Sequence, residues 1–345
     1  MTASDGMSAG NWTLTRMPKK AVHERYGHAR DVLRVVDAPA EMPAAGEVVV
    51  RMEAAAMHIA DLRTIAGADT FRYPLPRTPG FEGIGHVVRV GAGVSSPRVG
   101  ERVFPALGSG TFRDEVRCRA EACLPAPAGD ANQLSLLTVN GPTAWVLLED
   151  FAALKPGDWL IQNAANASCG RYLIRLARRR GIRTINVVRR PQMIDELREL
   201  GGDVVLLDGP DLALRVAAAV SGAPVRLGVD AVSGVATQRI AECLAADAPL
   251  VSYGSMSGER CEIDFYLMFR QGIVLHGLSF VRQFRSRTAE QVRAMYAELA
   301  SLMASGELVA RIAGVYPLEN IVEACEHAGE TGDERNGKII ISFDN

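Results

Sequence analysis

The run Trp159-Leu-Ile-Gln-Asn-Ala-Ala-Asn-Ala-Ser-Cys-Gly170 has the residue types and spacing to hold a phosphate without a charged side chain. Pro156-Gly157 sets a turn, residues 159–162 read as a short buried strand, and a helical run from Cys169 to Arg180 follows small residues. A strand, a tight turn and a helix start gather unpaired backbone N–H groups and the positive end of the helix dipole at one spot. Small side chains there let a diphosphate come close. Residues 183–188 form the next strand and end in Arg189-Arg190, about 20 residues past Gly170, where a dinucleotide fold meets the adenosine ribose. An acid at that place accepts from a 2′-hydroxyl and an arginine accommodates a 2′-phosphate, so the residues point to NADPH rather than NADH. Of a glycine-rich fingerprint only Gly170 is present, with Ser168 standing where another glycine belongs. On spacing alone the stretch is either a dinucleotide turn or an ordinary strand-to-helix connection.

The elements around it give that turn a context. Residues 11–36 alternate polar and apolar, 47–52 form a valine-rich strand, and 54–61 lead into a short helical turn at 62–66. A Pro-rich loop at 67–80 is long enough to form a substrate lip. Short strands at 83–93, 100–104 and 115–119, punctuated by glycine and proline, predict a partly closed β-barrel. A helix is expected from 143 to 154, and strand–helix pairs then fall at 159–180, 183–200, 204–220 and 227–244, with further strands at 249–253 and 273–278. That alternation predicts a doubly wound parallel sheet, making the chain α/β. A long helix at 288–305, opened by the capping pair Thr288 and Gln291, precedes a strand at 312–315, a helix at 318–328 and a strand at 338–342. The expected layout is a discontinuous catalytic domain, 1–139 and 282–345, around a cofactor domain at 140–281, with the cleft between them.

Composition narrows the function classes. The 345 residues carry a formal charge of −2 and 48% hydrophobic side chains, which excludes a strongly basic nucleic-acid binder. No apolar run reaches membrane-spanning length, and residues 1–11 are small and polar, so a cytoplasmic protein is expected. Cys118, Cys123, Cys169, Cys243, Cys261 and Cys325 include no C-x-x-C pair and fit reduced, individually placed thiols.

With these residues in view, the chain resembles the zinc-free medium-chain dehydrogenase/reductases, and among them the trans-2-enoyl-thioester reductases. The resemblance runs from Val48 to Ser342. It rests on Leu154-Lys-Pro-Gly-Asp158, the stretch from Ile161 to Arg171, Arg183-Thr-Ile-Asn-Val-Val-Arg189, Asn140-Gly-Pro-Thr143 and Val251-Ser-Tyr-Gly-Ser-Met256. It implies a GroES-like barrel with an inserted Rossmann domain. The activity it implies is hydride transfer from NADPH to the β-carbon of an enoyl-CoA or enoyl-acyl-carrier-protein thioester, in a homodimer that pairs through residues 272–280.

By position, Asn163, Ala165, Asn166, Cys169 and Gly170 would line the diphosphate and Arg189, with Arg190, the 2′-phosphate. Tyr253, Gly254 and Met256 would flank the nicotinamide, Asn140 and Thr143 would border the site, and Lys338 resembles a cofactor-facing lysine. Zinc enzymes of the superfamily place cysteine at His58 and histidine at Phe81; phenylalanine cannot ligate, so no metal is expected. Where the family has a proton-donating tyrosine this chain has Asp69, with Tyr73 four residues further on as the other candidate. Arg270, Arg282, Arg285 and Arg287 form either a contact for a CoA phosphate or acidic carrier protein, or a solvated basic face. Two other functions fit the same features: an NADPH:quinone or enone reductase, and a catalytically silent NADPH-binding protein serving in interaction or RNA binding.

Overall fold

The structure, a computed structural model, describes residues 17–68, 72–330 and 337–343. β1 (Lys19–Val22) and β2 (Arg34–Asp37) pair antiparallel around the short helix α1 (Ala29–Val32). β3 (Glu47–Met57) is the spine of the larger sheet, followed by α2 (Ile59–Ala66), β4 (Glu82–Val90), β5 (Arg102–Phe104), β6 (Glu115–Arg119), β7 (Leu124–Pro125) and α3 (Ala131–Leu134). α4 (Leu137–Glu149) then opens the wound region. There β8 (Trp159–Gln162), α5 (Ser168–Arg179), β9 (Arg183–Val188), α6 (Met193–Leu200), β10 (Val204–Leu207), α7 (Leu212–Ala219), β11 (Val225–Asp230), α8 (Val235–Ala241), β12 (Pro249–Ser252), α9 (Phe265–Gln271) and β13 (Val274–Gly277) alternate. The six strands are all parallel, in the order β10-β9-β8-β11-β12-β13.

After α10 (Phe280–Arg285) and α11 (Ala289–Ala304), the strand β14 (Ile312–Pro317), the helix α12 (Ile321–Gly329) and the strand β15 (Lys338–Ser342) return to the first sheet. That sheet runs β14-β15-β3-β4-β5-β7, with β6 also paired to β3. The α/β architecture is therefore the expected one: a GroES-like sheet built from both ends of the chain, and a Rossmann-like parallel sheet between.

Local readings differ from the structure where packing decides. β3 does not stop at residue 52, because Ala54, Ala55 and Ala56 are fully buried and pair with β15 on one side and β4 on the other. Their small side chains fit between two neighbours, so tertiary pairing overrides alanine's helix preference. α2 starts at Ile59 rather than 62, because the Asp61 carboxylate accepts from the His58 N–H at 2.8 Å and caps the turn.

The helix expected at 143 begins instead at Leu137 and continues through Pro142, so it also crosses the expected domain boundary at 139/140. Proline has no N–H, which leaves the Thr138 carbonyl without its intrahelical donor. The buried Tyr296 hydroxyl on α11 donates to that carbonyl at 3.2 Å. A turn on, the Thr143 hydroxyl bonds the Val139 carbonyl at 2.6 Å. Leu137, Leu147 and Leu148 of α4 share one apolar core with Met295, Leu299 and Leu302 of α11, and that core includes Ala54, Ile84 and Ile340 from the first sheet, Leu160 and Val229 from the parallel sheet, and Tyr172 of α5.

Tyr296→Phe should lower stability by about 1–3 kcal/mol, since a buried carbonyl loses its donor. Adding Pro142→Ala restores a backbone N–H to Thr138 and should recover most of the loss. Urea unfolding of the single and double variants measures this, and no recovery would show that the hydroxyl does not stand in for the missing N–H.

Candidate active site

The order of the parallel sheet places β9 and β10 on one side of β8 and β11, β12 and β13 on the other. Ligands of such sheets sit at this switch point, outside the carboxyl ends of the strands. Asn163, directly after β8, bridges it: its Nδ2 donates to Asp230 Oδ1 at 2.6 Å and its Oδ1 accepts from the Ala231 N–H at 2.8 Å. The buried Asp230 also accepts from the N–H groups of Val232 and Ser233 and from the Thr237 hydroxyl. Asn163 thus commits both ends of its amide to joining β8 and β11, and shapes the turn.

The turn itself offers main chain. The N-cap Ala167 of α5 has no capping side chain, and the bond from Arg171 N–H to the Ala167 carbonyl, 2.9 Å, leaves Ser168, Cys169 and Gly170 in the first turn, where N–H groups have no intrahelical acceptor. Ala165 is fully buried, and Asn166 is half-buried. A Cβ on Gly170 would lie 2.7 Å from the Ala165 carbonyl oxygen, so the helix approaches the turn as closely as only glycine permits. Beyond β9, Arg189 is exposed and has no partner among the described residues, whereas Arg190 is half-buried with its guanidinium 3.9 Å from Met193 Sδ.

Tyr253, directly after β12, lies close enough to the Cys169 thiol for each to shift the other's proton affinity. Burial, reinforced by Cys169, pushes the Tyr253 phenol well above its ordinary value. Burial also pushes Cys169 up to about 12, against smaller opposing effects of Tyr253 and the Lys338 ammonium. Both groups stay protonated at neutral pH. Gly254 packs on Ala231, where an added Cβ would come within 2.9 Å of the carbonyl oxygen, and Met256 is exposed.

A second cluster lies where β15, β3 and β4 end together. Lys338 Nζ is 3.1 Å from His58 Nδ1, and His58 Nε2 is 2.5 Å from Glu82 Oε1. The other Glu82 oxygen accepts from the Thr138 hydroxyl at 3.0 Å and from the Val139 N–H at 2.7 Å, at the start of α4. Glu82 is almost completely buried. With the ammonium donating to Nδ1 and the Nε2–H donating to the carboxylate, a neutral imidazole links a cation to an anion.

Beneath it Asp61 is fully buried, accepting from the N–H groups of His58 at 2.8 Å and Gly80 at 3.1 Å. Burial raises its carboxyl to about 7, outweighing those two bonds and Lys338. Glu82, Thr138 and Asp61 are functional candidates that sequence reasoning missed. The visible signal was an acid inside the glycine-flanked Gly80-Phe-Glu-Gly83.

Asn140 and Thr143 are buried on α4, their side chains bonded to the Leu136 and Val139 carbonyls. Tyr73 is half-buried, its ring covered by the Arg77 guanidinium at 3.7 Å and its carbonyl bonded by the Tyr26 hydroxyl. Asp69 lies outside the described residues. Arg270, Arg282 and Arg285 are exposed on α9 and α10. Arg287 is instead held by Asp150 at 2.5 Å and Glu149 at 3.4 Å, which takes it out of the expected basic group.

Residues 44–128 match the family description "Alcohol dehydrogenase GroES-like domain", and residues 200–341 match "Zinc-binding dehydrogenase". The chain belongs to the medium-chain dehydrogenase/reductases. Within that class it is 32% identical to the mitochondrial enoyl-[acyl-carrier-protein] reductase of Xenopus tropicalis, over 88% of this chain and 90% of that one. To the human protein of the same name it is 31% identical, over 93% and 89%. In structure it is similar to a putative NADPH:quinone reductase from Bacillus thuringiensis, with a TM-score of 0.87, 25% identity, and 95% and 99% of the two chains covered. A mitochondrial 2-enoyl thioester reductase heterodimer from Candida tropicalis shares the fold, with a TM-score of 0.84, 21% identity, and coverage of 95% and 100%.

Asp61 makes stability depend on pH. Its carboxyl holds the proton more tightly in the folded state, so its favourable contribution is complete below its unfolded value of 3.8 and is lost as pH rises toward about 7. Asp61→Asn should remove this loss, so the stability of the wild type relative to the variant should fall by a few kcal/mol between about pH 4 and pH 8. Urea midpoints across that range test it; a pH-independent difference would mean that Asp61 is ionised in the folded protein throughout.

Proposed function

We propose that this chain is an NADPH-dependent reductase that adds a hydride to the β-carbon of an α,β-unsaturated acyl thioester, carried on CoA or an acyl carrier protein. The observation that carries the cofactor reading is the pairing of an uncapped helix start at Ser168–Gly170 with the exposed, unpartnered Arg189 at the end of β9. The substrate reading rests on likeness over about nine-tenths of both chains to enoyl-[acyl-carrier-protein] reductases.

When bound, NADPH supplies the hydride. The N–H groups of residues 168–170 hold its diphosphate, with Ala165 and Asn166 as the wall, and Arg189 meets the 2′-phosphate, Arg190 backing it from α6. Tyr253, Gly254 and Met256 border the nicotinamide side. Lys338, aimed by His58 and Glu82, presents a cation toward the same crevice, consistent with its effect on Cys169. Thr143 and Asn140 stiffen α4 behind it. Asp69 and Tyr73 remain the proposed acids for the α-carbon, and Arg270, Arg282 and Arg285 the proposed contacts for a carrier or CoA phosphate.

We propose that the enzyme works without zinc: both nitrogens of His58 are already hydrogen-bonded, and Phe81 supplies no lone pair where a ligand would be needed. The division into two domains near 139/140 and 281/282, with the cuts moved to the ends of α4 and α10 that span them, and a cytoplasmic location belong to the same proposal; the matched relatives are named mitochondrial enzymes, and among the described residues no helix is long and apolar enough to cross a membrane. A homodimer through the edge strand β13 is supported by exposed Val274 beside exposed Phe265, Tyr266 and Phe269 on α9. Phe269→Glu should shift the sedimentation coefficient to the monomer value; a wild type that already sediments as a monomer removes the dimer.

A second reading, NADPH:quinone or enone reduction, is favoured by the structural likeness to the bacterial quinone reductase. Steady NADPH oxidation with crotonyl-CoA supports the thioester reading, oxidation only with quinones or enones the second, and tight binding without turnover neither. Arg189→Ala should raise the KM for NADPH by roughly 10–100-fold, the worth of a charge-assisted phosphate contact, and leave that for NADH nearly unchanged. Equal effects on both would remove the 2′-phosphate assignment.

A further inference from the structure

Two thiols away from the cofactor crevice are placed for chemistry of their own. Cys118 lies on β6, and Cys123 follows the turn at Ala120–Ala122 that leaves it. Their Sγ atoms are 3.4 Å apart, so forming a bond of ordinary length needs an approach of about 1.4 Å. Arg119, Glu121 and Ala122 in the connecting turn are exposed, so the approach can be absorbed without disturbing the core. Cys123 also donates to the Arg119 carbonyl at 3.7 Å, while Cys243 and Cys261 bond to oxygens of Arg239 and Ser252 with no second thiol at hand.

The two sulfurs are also differentiated. The two Sγ atoms share a hydrogen bond, and this contact, together with the Ala106 N–H, draws the Cys118 thiol down despite burial and Glu47. The bond to Cys118, with burial, pushes Cys123 far up, so it keeps its proton. Cys118 is buried and Cys123 half-buried, so any approach is from the Cys123 side and a protein thiol is kept from Cys118.

We propose that Cys118 and Cys123 form a redox-modification site, oxidised reversibly to a disulfide by small hydroperoxides. The Cys118 thiolate attacks the terminal peroxide oxygen; an S–O bond forms, the O–O bond breaks, and the leaving alkoxide or hydroxide takes a proton to become an alcohol or water. The Cys123 sulfur then attacks the sulfenic sulfur, forming the S–S bond, breaking S–O and releasing water with the Cys123 proton. In total two thiols lose two electrons and one hydroperoxide gains them.

The test treats the full-length protein with stoichiometric hydrogen peroxide and reads it by peptide mass spectrometry. The Cys118–Cys123 peptide should lose the mass of two hydrogens and regain it with dithiothreitol. Cys123→Ser should trap a dimedone-reactive sulfenic acid at Cys118, and Cys118→Ser should abolish both products. Independently of the variants, iodoacetamide near neutral pH should label Cys118 on the order of 100-fold faster than Cys169, Cys243 and Cys325, whose burial pushes each up to about 12. Over-oxidation of Cys118 without a disulfide, or labelling of Cys169, Cys243 or Cys325 first, overturns the proposal.

Discussion

The buried carboxylate of Glu82 is the constraint around which the two halves of the molecule are arranged. A charge taken out of water is tolerated only when its lone pairs are filled, and here three donors fill them: the His58 ring, the Thr138 hydroxyl and the Val139 N–H. One donor comes from the end of β3 and two from the first turn of α4, so a single side chain on β4 fixes where the helix leading to the parallel sheet begins. The carboxylate also sits at the positive end of that helix, where negative charge is favoured. Lys338 completes the arrangement from β15, so the chain's last strand is tied to its third and fourth through His58.

Because the barrel end is fixed this way, the cofactor side can be built almost wholly from backbone. Gly170 lets α5 close on the Ala165 carbonyl, and the Asn163–Asp230 pair locks the switch point, so the N–H groups of the first turn are held without any cationic side chain. The charge that remains is at the rim, on Arg189. In the proposed function this division separates two jobs: main chain would fix the position of a diphosphate, and one arginine would distinguish the phosphorylated from the unphosphorylated ribose.

The sequence displayed the periodic part of this plan. The parallel strands, the capped helix at Thr288 and the return of the last strands follow from local period and turn chemistry, and the structure has them. Three features were not legible. Ala54–Ala56 read as the end of a strand because alanine carries no strand signal, and only the two flanking strands keep it extended. Pro142 reads as a helix boundary until Tyr296, far along the chain, supplies the missing donor. The helices α9 and α10 have short spans, and the exposed aromatic face of α9 gives no inward periodicity. The proposed cofactor residues Arg189 and Gly170 stand out by spacing, whereas the buried Glu82 and Asp61 do not, since a carboxylate's burial depends on donors distant in sequence.

The incomplete glycine fingerprint follows from what each position demands. Gly170 meets the Ala165 backbone at contact distance, so any side chain there pushes the helix off the turn. Ser168 meets no such demand: it is the first helical residue, where an N–H is needed and a small polar side chain is tolerated. The turn still requires one left-handed residue, and Ala164 takes that conformation with φ 47°. An alanine there costs on the order of 1 kcal/mol against glycine, which the Asn163 and Asp230 bonds on its flank can offset. Loss of a glycine from the pattern therefore removes conformational ease and leaves the array of N–H groups in place, and those groups, rather than the glycines as such, are what a diphosphate binds.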